Sequence, residues 1–143
     1  MTIEAVLAGK GADVATVEPG ATMATAAGEL ARRRIGALVV VDAAGAVVGI
    51  ISERDLVQCV AARGESALAA PVADAMTPDV VTVGRDASVL GALSIMTGKR
   101  IRHLPVVEGG QLAGIVSIGD LVKHRLERIE AEAEAMRAYI QAS

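Results

Sequence analysis

A serine followed three residues later by an aspartate occurs twice, each time after a glycine-led apolar run: Gly49-Ile50-Ile51-Ser52-Glu53-Arg54-Asp55 and Gly114-Ile115-Val116-Ser117-Ile118-Gly119-Asp120. A hydroxyl at a helix start lies beside backbone N–H groups that lack an intrahelical partner, so it can help to hold a phosphate or sugar oxygen. A carboxylate one turn further on can accept hydrogen bonds from two vicinal hydroxyls, as a ribose presents them. The same pair is also an ordinary helix cap, with Asp in place of the more usual Glu. Both readings stand at this level, because a duplication copies caps as faithfully as binding sites.

The two signals belong to a longer repeat. Residues 16–57, from Thr16-Val17 to Leu56-Val57, reappear as residues 82–122, from Thr82-Val83 to Leu121-Val122. The copies lie 66 positions apart, then 65 after a one-residue deletion near Gly109-Gly110, and about fifteen positions are identical, among them Arg34/Arg100, Ile35/Ile101, Leu38/Leu104, Val40/Val106 and Val41/Val107. A unit of this size is too small to bury a core alone and is completed by its twin. Any site at their junction should come in pairs.

Each copy reads as strand, helix, strand, strand, helix. Thr22 and Ser88 are N-cap residues for the first helices. Met23, Ala26, Ala27 and Leu30, matched by Val89, Ala92, Leu93 and Met96, follow the i, i+3, i+4, i+7 spacing of one buried helix face. Basic residues close both helices, Arg32-Arg33-Arg34 and Lys99-Arg100, where the helix dipole favours cations. Ala37-Leu38-Val39-Val40-Val41 and Leu104-Pro105-Val106-Val107 are β-branched runs, each leading through a turn into a second apolar run, so each pair reads as a hairpin. Pro105 has no N–H for a ladder and marks a strand start or edge. Residues 64–78 read as a linker with at most one helical turn.

The last helix continues past the repeat. Val122, Leu126, Ile129, Ala133, Met136 and Ile140 alternate four- and three-residue steps, a narrow apolar seam. Lys123/Glu127 and Arg128/Glu132 support the helix at i, i+4. The seam either packs back on its own domain or meets a partner helix, and the spacing favours the partner, hence a homodimer. The expected organisation is an N-terminal segment (1–13), repeat 1 (14–63), a linker (64–78), repeat 2 (79–126) and a C-terminal helix extension (127–143).

Composition narrows the function. Of 143 residues 52% are hydrophobic, which supplies a core, yet there is one Tyr and no Trp or Phe, and the net charge is −3. This disfavours base-stacking platforms and phosphate-backbone binding, so no nucleic-acid partner is expected. No stretch reaches the roughly 18 apolar residues of a membrane span, and the start lacks a secretory pattern, so the expectation is a soluble, cytoplasmic protein with no membrane partner. The single Cys59 lies in an apolar helix pattern and reads as a buried structural thiol. With no metal cluster, no glycine-rich phosphate loop and no nucleophile beside a base, no enzymatic activity and no required cofactor are expected.

The segment Arg100-Ile101-Arg102-His103-Leu104-Pro105-Val106-Val107, then Gly114 to Asp120, resembles the cystathionine-β-synthase (CBS) domain, as does Arg34-Ile35-Gly36-Ala37-Leu38-Val39-Val40-Val41 through Gly49 to Asp55. The resemblance covers about residues 14–126. It implies an α+β fold of two pseudo-symmetric β-α-β-β-α repeats in one module, with an extended C-terminal helix. Tandem CBS domains pair to leave two clefts, and many bind adenosine compounds there: AMP, ADP, ATP, S-adenosylmethionine or NAD.

Carried over by position, the resemblance implies ribose binding by Asp55 and Asp120 with Ser52 and Ser117 beside them. Ala15-Thr16, Val81-Thr82, Ile35-Gly36-Ala37-Leu38 and Ile101-Arg102-His103-Leu104, with Pro105, would wall the adenine and offer backbone hydrogen bonds. Arg102-His103 stands where copy one has Gly36-Ala37, and Arg54 stands opposite Gly119. In the family, basic residues at the former place reach phosphates, so AMP, ADP, ATP or NAD is favoured over a sulfonium ligand; solvated surface charge is the alternative. The clefts are therefore expected to differ. The implied function is a nucleotide-binding sensor signalling through its dimer or a separate effector protein, with a ligand-independent interaction module acting through the C-terminal helix as the alternative.

Overall fold

Two apolar stripes and two hairpins per chain dictate a mixed architecture, and the computed structural model, which describes residues 1–142, has it. The elements run α1 (Ile3–Lys10), β1 (Thr16–Val17), α2 (Met23–Arg33), β2 (Ala37–Val41), β3 (Val47–Ser52), α3 (Glu53–Arg63), two 3₁₀ segments (Gly64–Ala69 and Val72–Asp74), α4 (Val89–Lys99), β4 (His103–Glu108), β5 (Gln111–Ser117) and α5 (Ile118–Ala142). The fold is the expected α+β one with a long terminal helix. Only Ser143, the last residue of the expected C-terminal extension, lies outside the described residues.

In repeat 1, β1 pairs parallel with β2 and β2 antiparallel with β3; in repeat 2, β4 and β5 form the antiparallel hairpin. The counterpart of β1 is reduced to one parallel bridge, Val83 to Val106. Thr22 and Ser88 cap α2 and α4 by accepting the N–H groups of Thr25 and Gly91. Both helices end on an arginine in the left-handed region, Arg34 (φ 54°) and Arg100 (φ 55°), where glycine is usual. Pro105 lies inside β4, not at its start, and this has consequences for the site.

Two cores result. Met23, Ala26, Leu30, Leu38, Val40, Ile51 and the buried thiol of Cys59 fill the first; Val89, Ala92, Met96, Leu104, Val106, Val116 and Leu121 fill the second. Residues 64–78, expected to hold one turn at most, instead carry two 3₁₀ segments whose Ala67, Ala70 and Val72 are buried in the first core. The N-terminal helix is their counterpart, because Ile3, Val6 and Leu7 complete the second core. Matching backbone bonds show the equivalence: Ile3 N–H to Ala87 C=O and Val89 N–H to Met1 C=O on one side, Val72 N–H to Ala21 C=O and Met23 N–H to Ala70 C=O on the other. Each repeat is thus closed by the segment that precedes the other. A Cβ on Gly49 would overlap the Met76 side chain, and one on Gly114 would come 2.9 Å from Leu7 Cδ2, which explains a glycine at both places.

The seam of α5 does not pack back on the domain. Leu126, Ile129, Met136 and Ile140 are all exposed, Leu126 at 54%. Of the two expected helix pairs, Arg128–Glu132 forms at 3.2 Å, while Lys123–Glu127 is not among the ion pairs of the described residues. No helix among those residues is long and apolar enough to cross a membrane.

Candidate functional site

Both Ser-x-x-Asp elements are helix caps in the structure. Ser52 N–H and the Ser52 hydroxyl donate to Asp55 Oδ2, each at 2.9 Å, and Asp55 N–H donates back to Ser52 Oγ at 3.3 Å. Ser117 N–H donates to Asp120 Oδ2 at 2.8 Å, and Asp120 N–H to Ser117 Oγ at 3.1 Å. Capping does not exhaust the carboxylate: both contacts of Asp55 fall on Oδ2, and among the described residues Oδ1 accepts no hydrogen bond. A cap and a diol acceptor are compatible in one residue.

A cleft of about 760 Å³ opens between the repeats beside Asp55. That volume lies within the roughly 300–1,000 Å³ of small-ligand sites. Ile35, Gly36, Ser52, Arg54, Asp55, Val81, Ile101, Arg102, His103 and Ser117 line it together, as do six residues absent from the expected set that add polar groups, Arg34, Arg100, Gln58, Thr77, Glu53 and Asp79. Its apolar walls are Ile35, Ile50, Val80, Val81, Ile101 and Ile118. Four arginines face three carboxylates, those of Glu53, Asp55 and Asp79, so the cleft combines a cationic rim with a localised carboxylate. The left-handed Arg34 and Arg100 both stand at this cleft, a backbone strain on the order of 1 kcal/mol each. Their identity in both copies was the signal that could have added them to the set.

The remaining expected residues do not line the cleft. Ala37, Leu38, Leu104 and Pro105 are buried in the hairpins, Thr16 and Thr82 are exposed, Ala15 is half-buried beside β2, and Asp120 is half-buried in the first turn of α5, paired with Lys10. Pro105 nevertheless shapes the site through the backbone. In repeat 1, Val39 N–H donates to Ala15 C=O at 3.1 Å. The residue equivalent to Val39 is Pro105, which has no N–H to give. Among the described residues nothing donates to Val81 C=O, the carbonyl of a half-buried residue of the cleft lining. The same missing bond shortens the counterpart of β1 to a single bridge.

His103 belongs to the cleft and reaches the other repeat. A Cβ on Gly36 would come within 3.3 Å of its Nε2, so the glycine of one copy makes room for the histidine of the other. Burial, reinforced by the neighbouring Arg102 charge, holds the imidazole below its ordinary value despite the opposing pull of Asp120. Asp120 is pushed up by burial, but the Lys10 hydrogen bond and the Ser117 N–H outweigh this and leave it below the usual carboxylate range.

The CBS domain model matches residues 11–62 and 72–127, most of the chain and both repeats. The chain belongs to the CBS domain family. A 17.7 kDa protein encoded in the bps2 3′ region of Acidianus ambivalens is 44% identical over 115 residues, covering 80% of this chain and 68% of that one. The chain spans 57% to 68% of the length of three such curated relatives. Among solved structures, the CBS-domain containing protein ATU1752 from Agrobacterium tumefaciens is 48% identical with a TM-score of 0.84, covering 87% of this chain and 92% of that one. The CBS domain protein PAE2072 from Pyrobaculum aerophilum, complexed with AMP, is 29% identical with a TM-score of 0.76, covering 84% and 89% of the two chains. The tandem CBS reading of the repeats is therefore correct for both copies.

Proposed function

We propose that this CBS pair is a regulatory module that binds an adenine nucleotide (AMP, ADP, ATP or NAD) in the Asp55 cleft and passes its occupancy on through the geometry of a homodimer or of a separate effector protein. The observation that carries this reading is the composition of the cleft. Asp55 Oδ1 is available to ribose hydroxyls, Val81 C=O to the adenine amino group, apolar walls to the base, and Arg54, Arg102 and His103 to phosphate. Guanine presents an acceptor where adenine presents its amino group, so the Val81 carbonyl favours adenine. AMP in a related CBS structure supports the same ligand class. Cations at the cleft favour phosphorylated ligands over S-adenosylmethionine. Isothermal titration with AMP, ATP, NAD and S-adenosylmethionine tests this: saturable binding of the first three in preference to the last is expected, and no binding by any would refute it.

The exposed α5 seam supports the interaction side of the reading. It is flanked by Arg125, Glu130, Glu132 and Arg137, so a second copy lying parallel and in register meets Arg125 with Glu130 and Glu132 with Arg137. The occupant is therefore a second copy of this chain. Leu126→Lys with Ile129→Lys, followed by light scattering, should convert a dimer to a monomer of 14.5 kDa. An unchanged mass would exclude the seam as the contact.

A further inference from the structure

The Asp120 corner is filled from within the chain. Lys10 Nζ lies 2.6 Å from Asp120 Oδ2 and donates to Ile115 C=O at 2.9 Å, with the two side chains only 31% and 26% exposed. The ammonium is delivered by a well-anchored helix. Ile3, Val6 and Leu7 are buried in the second core, and the Ile3 and Glu4 N–H groups bond Ala87 and Arg85 carbonyls. In repeat 1 the equivalent carbonyl, that of Ile50, receives the Thr77 backbone N–H instead, and among the described residues no lysine or arginine pairs with Asp55. Lys10 adds an ammonium to Asp120 Oδ2, the oxygen that also accepts the Ser117 N–H, so the carboxylate that a ribose diol would need is already neutralised by a cation from within the chain. The carbonyl that the repeat makes equivalent to Val81 C=O, that of Ala15, is also spent, because it already holds Val39 N–H.

We propose that Lys10 is a specificity-determining residue that occupies the Asp120 corner as an intramolecular ligand, so that each chain takes one nucleotide, at Asp55, and loss of the ammonium opens a second position. The inference rests on the Asp55 reading for the identity of the ligand, but its test separates the two. AMP is titrated calorimetrically into the full chain, Lys10→Met, Asp55→Ala and the double variant, with circular dichroism confirming the fold. Methionine keeps the aliphatic stem and helix propensity of Lys10 and removes the charge and the donors to Asp120 and Ile115 C=O; Lys10→Gln replaces it if the first variant does not fold. One AMP per chain is expected for the unaltered protein, two for Lys10→Met, none for Asp55→Ala and one for the double variant. A folded Lys10→Met that gains no site, or that binds AMP more weakly at unchanged stoichiometry, would overturn the role of Lys10. An unaltered chain that binds none while Lys10→Met binds one would overturn the Asp55 reading and leave Lys10 in place.

Discussion

Two corners built from the same seven-residue pattern end in different chemical states. At Asp55 the cap uses one carboxylate oxygen, Arg54 lines the same cleft, and so does Val81, whose carbonyl has no donor among the described residues. At Asp120 the backbone part of the cap is the same, but Lys10 adds an ammonium to Oδ2 where Asp55 Oδ2 holds the Ser52 hydroxyl, and the matching carbonyl, Ala15, is already bonded. The difference originates outside the Ser-x-x-Asp elements. A proline replaces a valine in the neighbouring strand, and a lysine arrives from a helix that belongs in sequence to the other repeat. The repeat therefore supplies two like scaffolds in different surroundings, and under the proposed function those surroundings decide which one takes the nucleotide.

The comparison breaks most severely at the two aspartates. Asp55→Ala should lower AMP affinity at least about 50-fold, since buried polar ligand groups lose their partner, whereas Asp120→Ala should change it by no more than about twofold. Both should cost only about 0.5–2 kcal/mol of stability, the worth of a cap. Calorimetry with denaturant unfolding checks the pair, and equal losses of affinity would erase the distinction between the corners.

A smaller effect is expected at Pro105. Pro105→Val restores the N–H that repeat 1 uses, letting it bond Val81 C=O and lengthening the strand pairing. The loss of one neutral hydrogen bond to the ligand, about 1 kcal/mol, corresponds to roughly fivefold weaker AMP binding. Competition between AMP and GMP sharpens this, because the variant should also lose preference for adenine.

The weakest expected signal is the pH dependence of stability. His103 has a folded-state value below the unfolded one of about 6.5. Between the two values the unfolded chain binds more protons, so the contribution of the neutral imidazole is present above about pH 6.5 and is lost as pH falls through the folded value. Thermal unfolding from pH 7.5 to 5 should show a decline that His103→Gln flattens. Asp120 acts in the same direction at lower pH, since its lowered value makes its stabilisation disappear only on further acidification.

Much of this was legible in the chain. The offset of the copies showed the repeats, the caps at Thr22, Ser88, Ser52 and Ser117 follow from residue type and position, and the contrast of Arg102-His103 with Gly36-Ala37 marked where the copies part. The backbone consequence of Pro105 was half legible: a missing N–H is a property of the residue, but which carbonyl loses its donor depends on register with Val83. Lys10 was not legible. It meets Asp120 across 110 positions, and α1 shares with its counterpart around Val72 a pattern of backbone hydrogen bonds and of apolar packing, Leu7 over Gly114 and Met76 over Gly49, but no identical residues to find. The α5 seam was plain in its spacing, yet only its exposure excluded packing against its own domain.

The most direct test is a crystal structure of the chain grown with AMP. The account predicts nucleotide density in the Asp55 cleft, with the ribose hydroxyls on Asp55 Oδ1 and the adenine amino group donating to Val81 C=O, while Lys10 stays on Asp120. AMP seated on Asp120 with Lys10 displaced and the Asp55 cleft empty would contradict it.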